Sequence, residues 1–301
     1  MQFEYDLISA MREYDLFINS INLEAGKYHR FRSIGTCKTK CCEYRIFENQ
    51  LGAHFKCFRR GIDRFWFANS ERQPSMEDRR QMAEERSRIE RERKAHQTRM
   101  ASKCEAFFGK PLLAPHDHPY VQRKQIFPHY AKQARRMLVL PVHNIHREMQ
   151  SLQFIKRNGF KQFKTGAPSS EGMIWLCEPL PMDYAGVIRI CEGWSTGCTI
   201  RMITKSPVVC ALNAYNLPKV AILIRRHFQQ AMGKICADND QWGKENVGLT
   251  CGREASSKAG YALHYPDFTG LDSSGKPTDF NDLYAVAGGE IVKRQLILIR
   301  E

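Results

Sequence analysis

Carboxylates stand in three short motifs in the second half of the chain, two of them directly after apolar runs. The first motif is Glu192-Gly193, directly after VIRIC. The second is Asp238-Asn239-Asp240, which begins at the last residue of KICAD, and the third is Asp279-Phe280-Asn281-Asp282. Asp238 and Asp240 are two residues apart on an extended segment and therefore point the same way. Converging carboxylates repel one another unless a cation neutralises them, and such hard oxygen ligands suit Mg²⁺ or Mn²⁺. We therefore predict a divalent-metal site formed by carboxylates of these three motifs.

The elements around these motifs alternate between two types. VIRIC, PVVCAL and KICAD read as buried strands, whereas WSTGCTIRMIT, LPKVAILIRRHFQQA and ENVGLTCGREASSKAGYAL read as helices. Strands that alternate with helices imply parallel crossovers and an α/β sheet covered by helices. Functional groups of such sheets cluster just past the carboxyl ends of the strands. The pattern thus predicts that the three motifs meet at one sheet edge.

The stretch from Val187 to about Gly289 resembles a Toprim domain, the metal-binding fold shared by bacterial-type primases, type IA and II topoisomerases and some nucleases. Its segments ICEGWSTGCTI, PVVCALNAYNL, ICADND and PTDFNDL are similar to the Toprim primases of phages and mobile plasmids. MLVLPVHN and MQSLQFIKRNGFKQFKTGAPSSEGMIWL resemble the basic subdomain that precedes Toprim in those primases. The resemblance covers about residues 101–290. It matches Glu192 to the family's glutamate and Asp238 and Asp240 to its Asp-x-Asp pair, and it places Asp279, then Asp282, beside the metal site.

This resemblance implies a DNA primase that makes short RNA primers on single-stranded DNA during phage or plasmid replication. Catalysis would use two Mg²⁺ or Mn²⁺ ions held by Glu192, Asp238 and Asp240. Implied partners are the template and ribonucleoside triphosphates. The sequence has no Gly-x4-Gly-Lys-Ser/Thr loop of a fused helicase, so a separate replicative helicase is a further candidate partner. Two alternatives remain open: a Toprim nuclease, in which water replaces the attacking hydroxyl, and a non-catalytic nucleic-acid-binding accessory protein.

The net charge favours a polyanionic partner. The chain has 46 basic and 32 acidic residues, a net charge of +14 and a pI near 9.3. Residues 106–180 contain 11 basic and 4 acidic residues, and so carry half of the net charge. Seven residues of this segment are candidate nucleic-acid or nucleotide contacts: Lys124, Arg135, Arg136, Lys156, Arg157, Lys161 and Lys164. The alternative is a solvated basic surface that maintains solubility.

The N-terminal third predicts a small α+β domain followed by a charged helix. A helical pattern over residues 3–17 precedes the candidate strands YHRF, EYRIF, AHFKCF and DRFWF. From Pro74 the pattern changes, and 13 of the 18 residues from 77 to 94 are charged, which is typical of a solvated helix. We therefore expect an N-terminal domain over 1–75, a helical connector over 76–105, a basic α+β subdomain over 106–180 and a Toprim-type domain over 181–301.

Eleven cysteines, an odd number scattered through predicted strands, indicate reduced and packed thiols. Bacterial primases begin with a zinc ribbon, and Cys37, Cys41, Cys42 and Cys57 could suggest one here. Cys57 stands alone rather than in a second Cys-x2-Cys pair, and His54 would have to complete the set, so zinc is not expected. The sequence has no apolar run of the roughly 20 residues that span a membrane, and its first residues do not form a basic leader, so we expect a cytoplasmic protein without a membrane partner.

Overall fold

The computed structural model describes residues 2–35, 40–68 and 76–297, and the chain divides into two compact units, Met1–His96 and Gln97–Glu301. Pro74 and Cys37 lie outside the described residues. The first unit contains helix α1 (Gln2–Arg12), strands β1 (Tyr28–Phe31), β2 (Cys42–Ile46), β3 (Gly52–Cys57) and β4 (Ile62–Phe67), and the first part of helix α2 (Met76–Phe108). The four predicted strands of this region are present.

The first unit is built on one antiparallel sheet with the order β1-β2-β3-β4. Alternate residues of β2 and β3, such as Tyr44 and Phe55, face the core with Leu7 and Met11 of α1. Most charged side chains on α2 are exposed, as the sequence pattern predicted. Ile89 is nevertheless only 2% exposed, and ion pairs tie the helix to the sheet, so its first part belongs to the first unit. These pairs are Arg45–Glu92 (2.9 Å), Arg93–Asp63 (3.0 Å) and Arg88–Glu48 (2.9 Å).

The second unit contains two sheets. The first is an antiparallel meander of β5 (Leu112–Leu113), β6 (Lys132–Ala134), β7 (Met137–His143), β8 (Met149–Lys156) and β9 (Lys161–Phe163), with the short helix α3 (Pro119–Lys124) between β5 and β6. Gly159 has a φ of 91° in the turn between β8 and β9, a conformation that glycine adopts readily.

The second sheet has the order β10-β12-β11-β13-β14. Its strands are β10 (Ile174–Trp175), β11 (Val187–Cys191), β12 (Val208–Cys210), β13 (Met232–Cys236) and β14 (Ala262–His264). The last four are mutually parallel and β10 pairs antiparallel at the edge. Helices α4 (Trp194–Thr204), α5 (Leu217–His227), α6 (Val247–Ala259) and α7 (Phe280–Ile297) accompany the strands, and a 3₁₀ turn spans Ala214–Asn216.

Helices cover both faces of this parallel sheet, as the alternating pattern predicted. Ile188 and Ile190 of β11 pack with α5 and α6, whereas Cys191 faces the side of α4 and α7. The antiparallel sheet joins the second of these cores through residues such as Leu138 and Ile155. One continuous apolar core therefore holds the two sheets of the second unit together.

Some boundaries differ from the sequence-based expectation. The helix predicted over ENVGLTCGREASSKAGYAL ends at Ala259, because Gly260 adopts a left-handed conformation (φ 66°), and strand β14 follows. Helix α7 was missed, because its period is interrupted by Gly288, whose φ of 77° kinks the helix.

Candidate active site at the carboxyl edge of the parallel sheet

The sheet order places three functional loops side by side. Strand β11 lies between β12 and β13, so the Glu192-Gly193 turn that follows β11 is flanked by the loops that follow its neighbours. Both Glu192 and Asp238 are partly buried at this edge. The backbone N–H of Ala214, just past β12, donates to the Glu192 carboxylate. Strand order thus brings together motifs that are 46 residues apart in the chain.

Burial and neighbouring charges raise the pKa of Glu192 and of Asp238. Burial, with the nearby Asp240 charge, raises the pKa of Glu192 to about 7. Burial also raises the pKa of Asp238 well above its usual range, with further contributions from Glu192, Asp279 and Asp240. These effects identify an acidic cluster of four residues, Glu192, Asp238, Asp240 and Asp279. Without a cation, the cluster holds protons that isolated carboxyl groups would release.

Asp238 has the least satisfied side chain of this cluster. Its Oδ1 atom is buried and has no hydrogen-bond partner. Helix α6 approaches its backbone closely, since a Cβ at Gly248 would lie 2.6 Å from the Asp238 carbonyl oxygen. A buried carboxylate oxygen without a donor is costly unless the group is protonated or binds a cation. The orphaned oxygen therefore fits a metal ligand.

Asp240 is fixed by the first turn of α6. Its Oδ2 accepts a hydrogen bond from the Gly248 N–H at 2.9 Å, and its own N–H donates to Asn246 Oδ1 at 2.8 Å. Asn246 caps α6 by accepting from the Leu249 N–H at 3.1 Å, and its amide also donates to Asn239 at 2.7 Å. The Asp-x-Asp segment is thus held by the helix that follows it.

Asp279 and Asp282 are both committed to the start of α7. Asp279 Oδ1 accepts from the Asp282 N–H at 2.8 Å and Oδ2 accepts from Thr196 Oγ1 at 2.9 Å. Asp282 accepts from the Thr278 N–H at 3.0 Å and pairs with Lys124 Nζ at 3.1 Å. Asp282 therefore has less freedom to bind a cation than Asp279, which also contributes to the pKa shifts of Glu192 and Asp238.

The spacing of the carboxylates bears on the kind of ion they could hold. Among the residues that the structure describes, only three cysteines place three ligand atoms within 4.8 Å of one another, so the acidic cluster is more open than a closed cage. Mg²⁺ usually keeps several waters and binds through one or two carboxylates. An open arrangement of acids therefore suits a cation that keeps several of its waters better than a cation that has lost all of them.

Lys161 reaches the acidic cluster from the antiparallel sheet. Its ammonium lies 3.7 Å from the position a Cβ would take at Gly193, and its charge lowers the pKa of both Glu192 and Asp238. Lys161 itself is exposed. It therefore places a mobile cation beside the carboxylates, where a phosphate group would need one.

Four other predicted basic residues meet in one surface groove. Arg135 and Arg136 come from the turn between β6 and β7, and Lys156 and Arg157 from the turn after β8. Together with Met137 and Asn158 they line an open depression of about 630 Å³, which we call the basic groove. All four are exposed.

The two remaining predicted contacts lie elsewhere. Lys124 is partly buried in its ion pair with Asp282, and its pKa is raised by the Asp279 and Asp282 charges against the effect of burial. Lys164 is exposed and lies near Cys104 of α2, where burial raises the pKa of the thiol and the Lys164 charge offsets part of that rise. The structure therefore separates Lys161 from Lys164, although they are three residues apart.

Several residues that support the site were missed from sequence. Thr196, in the first turn of α4, donates to the Asp279 carboxylate, and Asn246, before α6, accepts from the backbone N–H of Asp240. Asn246 stands where a helix cap is expected, a signal that was present in the sequence. Thr196 gave no such signal, because its contact joins α4 to a loop 83 residues away.

A second group of candidate ligands lies in the first unit. Cys41, Cys42 and Cys57 place their sulfur atoms within 4.8 Å of one another, because Cys42 and Cys57 are direct partners on β2 and β3. Hydrogen bonding to Cys42 lowers the pKa of Cys57 to about 5. His54 cannot complete this set, since it bonds Asp63 at 2.6 Å from the opposite face of β3. Three thiols in such proximity are more favourable to zinc than the sequence indicated.

Comparison with known proteins yields distant structural likenesses. No family model and no curated protein matches this chain. Similar solved structures include the primase fragment of the bacteriophage T7 primase-helicase protein (14% identity, 64% of this chain and 76% of that chain, TM-score 0.43). Another is the Aquifex aeolicus primase with its zinc-binding and RNA polymerase domains (13% identity, 98% of this chain and 83% of that chain, TM-score 0.42). A third is the DnaG primase catalytic domain bound to ssDNA (13% identity, 55% of this chain and 53% of that chain, TM-score 0.35). All three are DNA primases.

The described part of the chain contains no helix that is both long enough and apolar enough to span a bilayer.

Proposed function

We propose that this protein is a DNA primase, a nucleotidyltransferase that joins ribonucleotides on a single-stranded DNA template. The observation that carries the proposal is the acidic cluster at the carboxyl edge of the parallel sheet, with Lys161 beside it. Carboxylates for a divalent cation and a neighbouring ammonium for a phosphate are the groups that phosphoryl transfer requires. The Toprim resemblance of residues 187–289 supports the same reaction.

Glu192, Asp238 and Asp240 would hold the divalent cations, Mg²⁺ or Mn²⁺, with Asp279 adjoining them. The unpartnered Asp238 Oδ1 and the raised pKa values of Glu192 and Asp238 fit such ligands. When bound, the ions would lower the pKa of the attacking 3′ hydroxyl and neutralise negative charge on the leaving pyrophosphate. The N–H groups of Ala214 and Gly248 orient Glu192 and Asp240, so the ligands are positioned before substrate arrives.

The basic side chains of the second unit would hold the polyanionic substrates. Lys161 would contact a phosphate group next to the acidic cluster, where its charge offsets the repulsion between carboxylates and phosphates. The basic groove would bind the template backbone, which requires positive charge but no base recognition. A separate replicative helicase is the partner expected to deliver such a template.

A product assay tests this function directly. The protein is incubated with single-stranded DNA of mixed sequence, labelled ribonucleoside triphosphates and Mg²⁺ or Mn²⁺, and the products are separated on a gel. Short new oligomers support the primase proposal. A shortened template would instead indicate a nuclease that uses the same cations, and neither product would indicate a non-catalytic binding protein.

Matched variants connect the activity to the site. Glu192→Gln and Asp240→Asn should abolish synthesis, since each removes a charge that holds the cation. Glu290→Gln and Asp183→Asn change exposed acids elsewhere in the second unit and should leave it intact. Normal synthesis by Glu192→Gln would exclude the acidic cluster as the catalytic site.

A further inference from the structure

Two exposed aromatic side chains border the acidic cluster. Tyr215 follows β12 and is 37% exposed, and Trp242 follows β13 and is 44% exposed. Their loops leave the two strands on either side of β11, whose own loop carries Glu192. Strands two positions apart in a sheet are separated by about 10 Å. The two aromatics therefore lie on opposite sides of the turn that carries Glu192.

Each aromatic residue is held in place next to the acidic cluster. Trp242 is two residues after Asp240, and its indole N–H donates to the Pro277 carbonyl at 2.9 Å, next to the loop that carries Asp279. Tyr215 directly follows Ala214, whose N–H donates to Glu192. The Asn216 side chain fixes this 3₁₀ turn by donating to the carbonyls of Gly172 and Ala211, both at 2.8 Å.

The rings themselves remain open to a ligand. Within residues 2–35, 40–68 and 76–297, neither ring pairs with another aromatic ring or lies beneath a cationic side chain. The other two tryptophans of the second unit, Trp175 and Trp194, are buried in its cores. Exposing a large aromatic ring is unfavourable, and a fixed ring beside a phosphate-binding site is a stacking surface for a planar base.

We infer that Tyr215 and Trp242 form a stacking site for a nucleobase beside the acidic cluster. The base would belong either to a nucleoside triphosphate or to a single-stranded template, since both present the same planar ring next to phosphates. Stacking would hold that base in place while Lys161, and the cations held by the carboxylates, bind the phosphates. The inference rests on the proposed function only in taking nucleotides or nucleic acid as ligands.

Two pairs of matched ligands test the inference without any synthesis. The first pair is a 12-nucleotide oligothymidine and an abasic oligonucleotide of the same length. The second pair is ATP and inorganic tripolyphosphate. Each pair has the same type of phosphate backbone with and without bases, so the ratio of dissociation constants within a pair reports contact with a base. The wild-type protein should prefer the base-containing member by roughly 5- to 100-fold in at least one pair.

Variants then assign the preference. Tyr215→Ala and Trp242→Ala should each reduce the preference for the base-containing ligand several-fold. If the site binds a template base, the reduction appears in the oligonucleotide pair. If it binds the base of a nucleoside triphosphate, the reduction appears in the triphosphate pair. Trp242→Phe removes the indole N–H but retains a stacking face, so it should bind like the wild type and lose only the ligand-induced fluorescence quenching. Met232→Ala, an exposed apolar residue at the opposite end of β13, should change nothing.

Two results would overturn the inference. One is an unchanged preference in both ligand pairs for Tyr215→Ala and Trp242→Ala. The other is a Trp242→Phe variant that binds the base-containing ligands as weakly as Trp242→Ala does. That result would mean that Trp242 acts only through its hydrogen bond to the Pro277 carbonyl. Because binding is measured without turnover, a protein that binds bases through these rings but makes no primers would refute the primase proposal and leave the stacking site standing.

Discussion

Replacing Glu192 by glutamine should alter how the stability of the metal-free protein depends on pH. The folded protein raises the pKa of this carboxyl group from 4.5 to about 7, chiefly by burial and then by the Asp240 charge. Glutamine is neutral at every pH, and its side-chain carbonyl can still accept the Ala214 N–H. The substitution therefore removes the titration and retains the hydrogen bond.

The sign and size of the effect follow from the shift. A raised folded-state pKa means that the folded protein binds the proton more tightly than the unfolded chain does, so this stability is fully present below pH 4.5 and is lost as the pH rises through 7. A shift from 4.5 to about 7, at about 1.4 kcal/mol per pKa unit, corresponds to up to roughly 3 kcal/mol. Removing the Glu192 charge also relieves Asp238, which changes stability in the same direction.

Urea unfolding in chelator at pH 5 and pH 8 measures this difference. The wild type should lose up to about 3 kcal/mol more than Glu192→Gln between the two values. Adding Mg²⁺ at pH 8 should stabilise the wild type more than the variant, because the cation replaces the lost protons. Glu290→Gln, an exposed acid on α7, should behave like the wild type. Equal losses for wild type and Glu192→Gln would refute the electrostatic coupling on which the metal site depends.

Three further predictions concern other parts of the molecule. Lys161→Ala should reduce the slope of the log–log salt dependence of single-stranded DNA binding by about 0.7 units and impair primer synthesis. Lys164→Ala, which changes an exposed lysine near Cys104, should leave synthesis normal, and equal synthesis defects in the two variants would contradict the role of Lys161 as a phosphate contact. Gly248→Ala should destabilise the protein by about 1–3 kcal/mol in urea, because its Cβ would lie 2.6 Å from the Asp238 carbonyl oxygen, and an unchanged unfolding curve would count against that contact. The wild type should take up Zn²⁺ at the thiol group with release of protons, and Cys57→Ser should lose this uptake, as metal analysis after gel filtration would show; equal uptake by both proteins would remove the thiols from consideration.

The local elements, and the positions of the carboxylates relative to them, could be predicted from the sequence. Strand and helix periods in VIRIC, KICAD and WSTGCTIRMIT depend on neighbouring residues, so they can be read without the fold. The parallel crossover rule then places Glu192 and Asp238 past strand ends, and the observed sheet order makes those ends adjacent. The covered parallel sheet could therefore be predicted.

The contacts between side chains that are distant in the chain could be found only from the folded protein. Lys161 lies beside Glu192, because the turn at Gly159 determines where β9 lies, whereas Lys164 follows the end of that strand and lies near Cys104. Lys124 neutralises Asp282 across 158 positions, and the register of β2 on β3 sets Cys42 opposite Cys57. Such contacts depend on sheet register and on the packing of a shared core, which result from the cooperation of many residues and leave no periodic signal in any one segment.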